Sequence, residues 1–75
     1  MFSVLIIAPN EVVFDGEASS VILPGETGEF EVLEFHHDII SLLREGSIFI
    51  DHIPYPIKKG VAKFSKDRLI ALIER

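Results

Sequence analysis

The sequence predicts an all-β fold, a flattened antiparallel β-sandwich of about ten short strands in two sheets. Short apolar segments alternate in polarity, which is the pattern of strands with one buried face. Turn-forming glycine, proline, asparagine and aspartate interrupt these segments about every 8 to 12 residues, a spacing typical of sandwiches and barrels. The length of 75 residues fits one domain, residues 1–75, and the apolar content of 48% argues against disorder.

The N-terminal half predicts four extended segments. Phe2–Ala8 is apolar on both faces, so we expect a strand that is covered on both sides or packs against a partner. Residues 12–14 predict a short strand that ends in a turn or bulge at Asp15-Gly16. Residues 18–23 and 29–33 predict two further strands, separated by a short acidic loop with two glycines.

The second half starts less regularly. Residues 38–43 fit either a strand or a single helical turn, and the surrounding pattern favours a strand. Glu45-Gly46 predicts a hairpin turn, and the strand after it is expected to place His52 on a partly buried face. Pro54-Tyr55-Pro56 is expected to interrupt strand pairing, because proline has no N–H to donate.

The last residues predict a hairpin, with strands over 61–64 and 69–73 and a turn over 65–68. In the second of these strands, positions 69, 71 and 73 share one face, and positions 70 and 72 share the other. A single helical turn over 69–73 is the alternative.

Charge is distributed unevenly along the chain. The net charge is −5, but residues 1–38 contain eight acidic and no basic side chains, whereas residues 39–75 contain seven basic and four acidic ones. The negative total disfavours nucleic acid as a partner. Without cysteine, a bilayer-length apolar run or a basic leader, the sequence predicts a domain in a reducing compartment with no direct transmembrane segment.

Three histidines and a neighbouring aspartate are the candidate metal ligands: His36, His37, Asp38 and His52. Zinc requires three or four ligands within about 2.0–2.3 Å. In an extended chain, His36 and His37 would point to opposite faces, and His52 is predicted on a different strand. We therefore expect no metal site.

Acidic side chains cluster around the loop with two glycines: Glu26, Glu29, Glu31 and Glu34. Paired catalytic carboxylates need a concave pocket, which a small sandwich hardly offers, so we expect no catalytic residue. The cluster is interpreted as a solvated loop or as a docking surface for a basic partner. The two glycines do not predict a phosphate loop, because no lysine-serine or lysine-threonine pair and no helix follow them.

Taken in order, several segments resemble the N-terminal β-sandwich domain of the epsilon subunit of F-type ATP synthases. The matching segments are Ile7-Ala8-Pro9, Val13-Phe14-Asp15-Gly16-Glu17, residues 20–30, Val32-Leu33, His36 and residues 60–64. The segment from Val13 to Leu33 is the most specific of these. The sequence departs from the family after Phe30, where Glu31 replaces a usual glycine, and over residues 34–38, where a Pro-Gly-His-Ala-Pro sequence is usual.

The resemblance implies a non-catalytic subunit of the central stalk that docks on the gamma subunit and the c-ring and helps to couple proton flow to ATP synthesis. It implies no cofactor, a peripheral location on the cytoplasmic face of the bacterial inner membrane, and no ATP binding without the family's C-terminal helices. Two alternatives remain open. One is a stand-alone β-sandwich interaction module, and the other is a small metal-binding or ligand-binding barrel.

The resemblance also suggests partner-binding residues. Those assigned to the loops that face the c-ring are Glu26, Thr27, Gly28, Glu29, Glu31, Phe35 and His36. Those assigned to gamma are Leu5, Ile7 and Phe49, which together with Phe35 and Ile53 exceed what so small a core readily encloses.

Overall fold

The computed structural model describes residues 1–75 and consists of nine strands joined by short connections. In chain order they are β1 (Phe2–Ala8), β2 (Glu11–Ala18), β3 (Ser20–Gly25), β4 (Gly28–Leu33), β5 (Ile39–Leu43), β6 (Gly46–Ile50), β7 (Ile53–Ile57), β8 (Lys59–Ser65) and β9 (Arg68–Glu74). The predicted all-β class is confirmed, with nine strands where about ten were expected. Both segments that also fitted a helical turn are strands, β5 and β9.

The strands form two layers. The first layer contains β2, β1, β9, β8 and β5 in that order, and the second contains β4, β3, β6 and β7. The β1–β9 pair is parallel, whereas all other pairs are antiparallel, so the sandwich is not purely antiparallel as predicted. The parallel pair places the first strand of the sequence directly beside the last.

The two layers belong to one continuous sheet, because β3 bonds to the first layer at its C-terminal end. There Gly25 pairs with Leu43 of β5, in what we call the β3–β5 junction. Beside this pair, the Glu26 amide donates a hydrogen bond of 3.0 Å to the Leu42 carbonyl. The predicted pair of separate sheets is therefore a single sheet folded over on itself.

Seventeen buried apolar side chains from both layers form one core. Within the first layer, the rings of Phe2 and Phe64 meet edge to face with centroids 5.5 Å apart. At the edge opposite the β3–β5 junction, Phe14 of β2 meets Tyr55 of β7 at 5.9 Å, so an aromatic contact bridges the two layers there. Such pairs add about 0.5–1.5 kcal/mol to the stabilisation from burial.

Strand β2 is longer than the sequence indicated. It continues through Asp15-Gly16, where Gly16 pairs with Val4, so the turn or bulge predicted there does not occur. The irregularity lies earlier, where the register shifts between Ile6 and Ile7 of β1 and leaves Val13 as an extra residue in β2. A bulge of this kind increases the local twist of an edge strand.

The predicted interruption at Pro54-Tyr55-Pro56 is wrong, because these residues lie inside β7 and pair with β6. β7 is the last strand of its layer, and consecutive residues of a strand direct their amides to opposite sides. With Tyr55 bonded towards β6, the two prolines face away from the sheet, where no N–H is needed.

Two connections also differ from the prediction. Arg44 and Glu45 link β5 to β6, but these strands lie in different layers, so the segment is a crossover and not a hairpin turn. His52 is exposed in the turn between β6 and β7, not partly buried on a strand. By contrast, the predicted terminal hairpin is confirmed as β8 and β9, with Lys66-Asp67 in the turn.

Asp51 ties the β6–β7 turn to the corner between β2 and β3. Asp51 and His52 both have positive φ, 47° and 73°, as a two-residue type I′ hairpin turn requires. The Asp51 carboxylate accepts hydrogen bonds of 3.0 Å from the backbone amides of Ser19 and Ser20, and the Asp51 amide donates to the Ser20 carbonyl at 2.9 Å. One side chain thus satisfies two amides at a point where the chain turns between layers.

We expect Asp51→Ala to lower the free energy of unfolding by about 1–3 kcal/mol, because two amides lose their acceptor and alanine tolerates a positive φ poorly. Asp51→Asn keeps an acceptor oxygen and a residue suited to positive φ, so its loss should be clearly smaller. Urea unfolding followed by circular dichroism measures both variants. Equal losses for alanine and asparagine would show that an acceptor oxygen at position 51 is not sufficient to hold the corner.

Candidate docking surfaces

The outer side of the first layer has an apolar surface, which we call the outer apolar face. Two rows of cross-strand neighbours make it up, Ile7–Leu72–Val61–Leu42 and Leu5–Ile70–Lys63–Ile40, each across β1, β9, β8 and β5. Ile40, Leu42 and Leu72 are 72%, 57% and 52% exposed. A contiguous patch of this kind on a small domain indicates an interaction site.

A shallow groove of about 720 Å³ runs along the first row and ends near the β3–β5 junction. Ile7, Val61 and Leu72 are among its apolar lining residues. Lys59 and Glu74 lie at its rim, with the Lys59 Nζ atom 3.6 Å from the Glu74 Oε2 atom. Because both side chains are more than half exposed, this ion pair contributes little to stability and leaves the rim free to rearrange around a partner.

The structure places the three residues that the sequence analysis assigned to gamma on two different surfaces. Leu5 and Ile7 lie on the outer apolar face, each half-buried. Phe49 alternates with the buried Ile48 and Ile50 on β6, so its side chain lies on the outer side of the second layer. The three residues therefore do not share one surface.

Sequence reasoning missed the most exposed members of the outer apolar face: Ile40, Leu42 and Leu72. The signal was present, because positions 70 and 72 of β9 are apolar although positions 69, 71 and 73 already fill the core. A strand that is apolar on both faces needs a cover on each. Only the strand order places β5 and β9 within one layer and makes their outer residues neighbours.

The residues assigned to the c-ring also separate. Glu26 and Thr27 form the turn between β3 and β4 at one end of the sandwich. Phe35 and His36 follow the other end of β4, at the opposite end of the molecule. The length of the six-residue strand, about 20 Å, lies between the two groups. Glu29 and Glu31 lie along β4 between them and are exposed.

The turn between β3 and β4 depends on two glycines. A Cβ atom on Gly25 would lie 2.7 Å from the Gly28 carbonyl oxygen and 2.9 Å from the Phe30 ring, closer than such atoms pack. Gly28 has a φ of +139°, in a region that side chains disfavour. The turn is therefore a tight backbone structure that presents Glu26 and Thr27 to solvent.

The loop over residues 34–38, at the opposite end, is held by polar contacts. Phe35 has a φ of 65° and is 82% exposed, and its amide donates a hydrogen bond of 3.0 Å to the Asp67 carboxylate. The Glu34 carboxylate lies 2.8 Å from the Met1 amine and raises the pKa of that amine above its ordinary value. The loop thus adopts a defined shape without the proline and glycine that are usual in the resembling family.

The two adjacent histidines of this loop do not point to opposite faces, as an extended chain would require. Their rings stack with centroids 4.3 Å apart, and the His36 Nδ1 atom lies 2.7 Å from the His37 carbonyl oxygen. The His36 ring also meets the Phe64 ring edge to face at 5.8 Å. His36 therefore helps to cover one end of the core, and no group of three or more His, Cys, Asp or Glu side chains is arranged to hold a metal ion.

These features define the class of protein: a small β-sandwich with an exposed apolar face and a tight acidic turn. Residues 1–75 match the sequence model of the ATP synthase delta/epsilon chain β-sandwich domain. The chain therefore belongs to the ATP synthase delta/epsilon family, and the resemblance seen in the sequence is confirmed. No helix in the structure has the length and apolar character needed to cross a membrane.

Curated relatives agree with this assignment. The chain is 40% identical to the ATP synthase epsilon chain of Sulfurimonas denitrificans and 38% identical to that of Campylobacter concisus, in each case over 92% of this chain. It spans 57% of the length of each of these relatives. Its fold resembles a chain in the central stalk/c-ring of the Tetrahymena thermophila mitochondrial ATP synthase, with a TM-score of 0.82, 10% identity, and coverage of 97% of this chain and 63% of that one.

We expect Gly25→Ala to destabilise the sandwich by about 1–3 kcal/mol, because the added methyl group collides with backbone and an aromatic ring at the turn. Gly16→Ala is the matched control within β2. Its Cβ atom would lie 3.4 Å from the Phe14 ring, an acceptable contact, so stability should be unchanged or slightly higher. Thermal unfolding of the two variants tests the difference, and equal melting temperatures would contradict the close approach at Gly25.

Proposed function

We propose that this chain is a central-stalk epsilon subunit of a rotary F-type ATP synthase, and that its outer apolar face docks on the gamma subunit. The observation that supports this docking most directly is the exposure of Ile40, Leu42 and Leu72 on one side of a folded domain. Burying such side chains stabilises a complex by about 25 cal/mol for each Å² of apolar surface removed from water. Family membership and the relatives named epsilon chain support the subunit assignment.

Docking would also stabilise the domain itself. Only 19 of its 75 residues are buried, and a domain of this size has a marginal core of its own. A partner that binds the folded form raises the free energy of unfolding by mass action. A second partner layer over β1, β9, β8 and β5 would cover strands that are apolar on both sides.

We propose that the c-ring contact is made by the turn between β3 and β4, with Glu26, Thr27 and Gly28 at its tip. Glu29 is the next residue along β4 and is exposed, and its charge would orient a basic partner loop over short distances. Gly25 fixes this turn to the β3–β5 junction, which makes it a rigid contact. Because Phe35 and His36 lie at the opposite end of the sandwich, we place them outside this contact.

In this proposal the subunit is non-catalytic. It links gamma to the c-ring so that rotation driven by proton flow reaches the catalytic part of the complex. The corresponding location is peripheral, on the cytoplasmic face of a bacterial inner membrane. ATP binding is not proposed for residues 1–75, in which no charged side chain is buried and no phosphate loop follows the glycines of the turn.

The gamma contact predicts the effect of charge on the outer apolar face. We expect Leu42→Glu combined with Leu72→Glu to weaken binding to purified gamma by at least about tenfold, because two carboxylates would be desolvated in the interface. Ile53→Glu is the control, since Ile53 is 58% exposed, close to the 57% of Leu42, but lies in the second layer. Isothermal titration calorimetry measures all three proteins.

If the Leu42 and Leu72 variant binds gamma as wild type does while circular dichroism shows it folded, the outer apolar face is not the gamma site. If wild type shows no affinity for gamma at micromolar concentration, the proposed docking on gamma is wrong and a stand-alone interaction module is the alternative.

The c-ring contact predicts which end of the sandwich can be cross-linked. The chain has no cysteine, so a single introduced thiol is unique. In an assembled complex with cysteine in the c-ring polar loops, we expect Thr27→Cys to form a disulfide with the ring. His37→Cys is the control, since His37 is also exposed but lies at the opposite end. Efficient cross-linking from position 37 and none from position 27 would reverse the proposed orientation.

A further inference from the structure

Strand β4 has an open edge. On β3, the Glu26 amide and the Pro24 carbonyl bond towards β5, so the alternate residues Val21, Leu23 and Gly25 bond towards β4. Their partners on β4 are Val32, Phe30 and Gly28. The amides and carbonyls of Glu29 and Glu31 and the amide of Leu33 must then face away from β3, and β4 pairs with no other strand. The Leu33 carbonyl is already engaged, because it accepts a hydrogen bond of 3.1 Å from the His36 amide.

The other edges of the sandwich are protected against pairing with a further strand. In β7 the outward-facing positions are Pro54 and Pro56, which cannot donate. In β2 a bulge at Val13 breaks the regular edge. In β5 the C-terminal end of the edge is engaged at Leu43 by the β3–β5 junction. Strand β4 has no proline, lysine or bulge along its six residues, and the only charges beside its edge are the carboxylates of Glu29 and Glu31.

The side chains beside this edge select the charge of a partner. Glu29, Glu31 and Leu33 are exposed on the outer side of the second layer, and the Glu31 carboxylate accepts a hydrogen bond of 2.6 Å from the Ser20 hydroxyl. A strand added next to β4 would place alternate side chains directly beside the two carboxylates. Opposite charges at such cross-strand positions stabilise the pair, and like charges destabilise it.

We propose that the open edge of β4 binds an extended segment of another protein, in which basic residues occupy alternate positions, by adding it as a further strand to the second layer. Main-chain hydrogen bonds to Glu29, Glu31 and the Leu33 amide supply affinity, and the two carboxylates select Lys or Arg at positions two residues apart. A second copy of this chain does not fit, because antiparallel pairing of two β4 strands would bring their acidic side chains together. This site is separate from the gamma face and shares only Glu29 with the proposed c-ring contact, so a peptide test on the isolated chain depends on neither contact.

The test uses a terminally blocked peptide that alternates lysine with valine, matched in length to β4, titrated into the isotopically labelled chain. We expect the largest amide chemical-shift changes and new protection from hydrogen exchange at Glu29, Glu31 and Leu33. A peptide that alternates glutamate with valine is the control and should not bind. Equal binding of both peptides, or shift changes confined to Leu42 and Leu72, would overturn the proposal.

Two substitutions at one position separate the backbone from the charge. Glu31→Pro removes an outward N–H that the native ladder does not use, as in β7, and should weaken peptide binding about tenfold or more. Glu31→Thr keeps the N–H and removes the charge, so binding should weaken by only about two- to fivefold. If Glu31→Pro proves unfolded by circular dichroism, the double variant Glu29→Lys with Glu31→Lys tests the proposal instead. This double variant should reverse the preference from the basic to the acidic peptide. Unchanged binding by folded Glu31→Pro, or an unchanged preference in the double variant, contradicts the inference.

Discussion

The architecture depends on the close approach of three strands at Gly25. This residue pairs with Gly28 across the turn and with Leu43 across the β3–β5 junction, so it joins β4, β3 and β5 at one point. A Cβ atom there would lie 2.7 Å from the Gly28 carbonyl oxygen, so no other residue fits without a backbone shift. Because the only strand pairing between the two layers occurs here, the absence of one side chain determines how the sheet folds over its core.

The sequence was most informative where a pattern has one physical solution. The short apolar segments Phe2–Ala8 and 69–73 predicted strands, the second with a helical turn as the alternative, and the terminal hairpin followed from two apolar segments around polar residues. The sequence pattern was misleading where the local structure depends on the order of strands in the sheet. Pro54 and Pro56 are compatible with a strand only at a sheet edge, and Asp15-Gly16 forms a turn only if β1 does not pair along its full length. Neither condition can be deduced from neighbouring residues.

The candidate surfaces illustrate the same limit. Family resemblance identified the acidic turn and the loop over residues 34–38 together, but a six-residue strand places them at opposite ends of the molecule. Leu5 and Phe49 were grouped because both are apolar and surplus to a small core, yet they lie on opposite layers. Residue type shows which side chains need a partner. Only the topology shows which of these side chains lie on the same surface and can contact the same partner.

Under the proposed function, the two contacts lie at different places on one rigid body. The gamma contact covers the outer side of the first layer, whereas the c-ring contact is a turn of the second layer. Force between them must pass through the β3–β5 junction and the shared core, because these are the main connections between the layers at that end. A loose linkage there would let the turn move without moving the apolar face. Under the proposed function, a tight glycine junction beside the acidic turn would therefore keep the turn and the apolar face moving together.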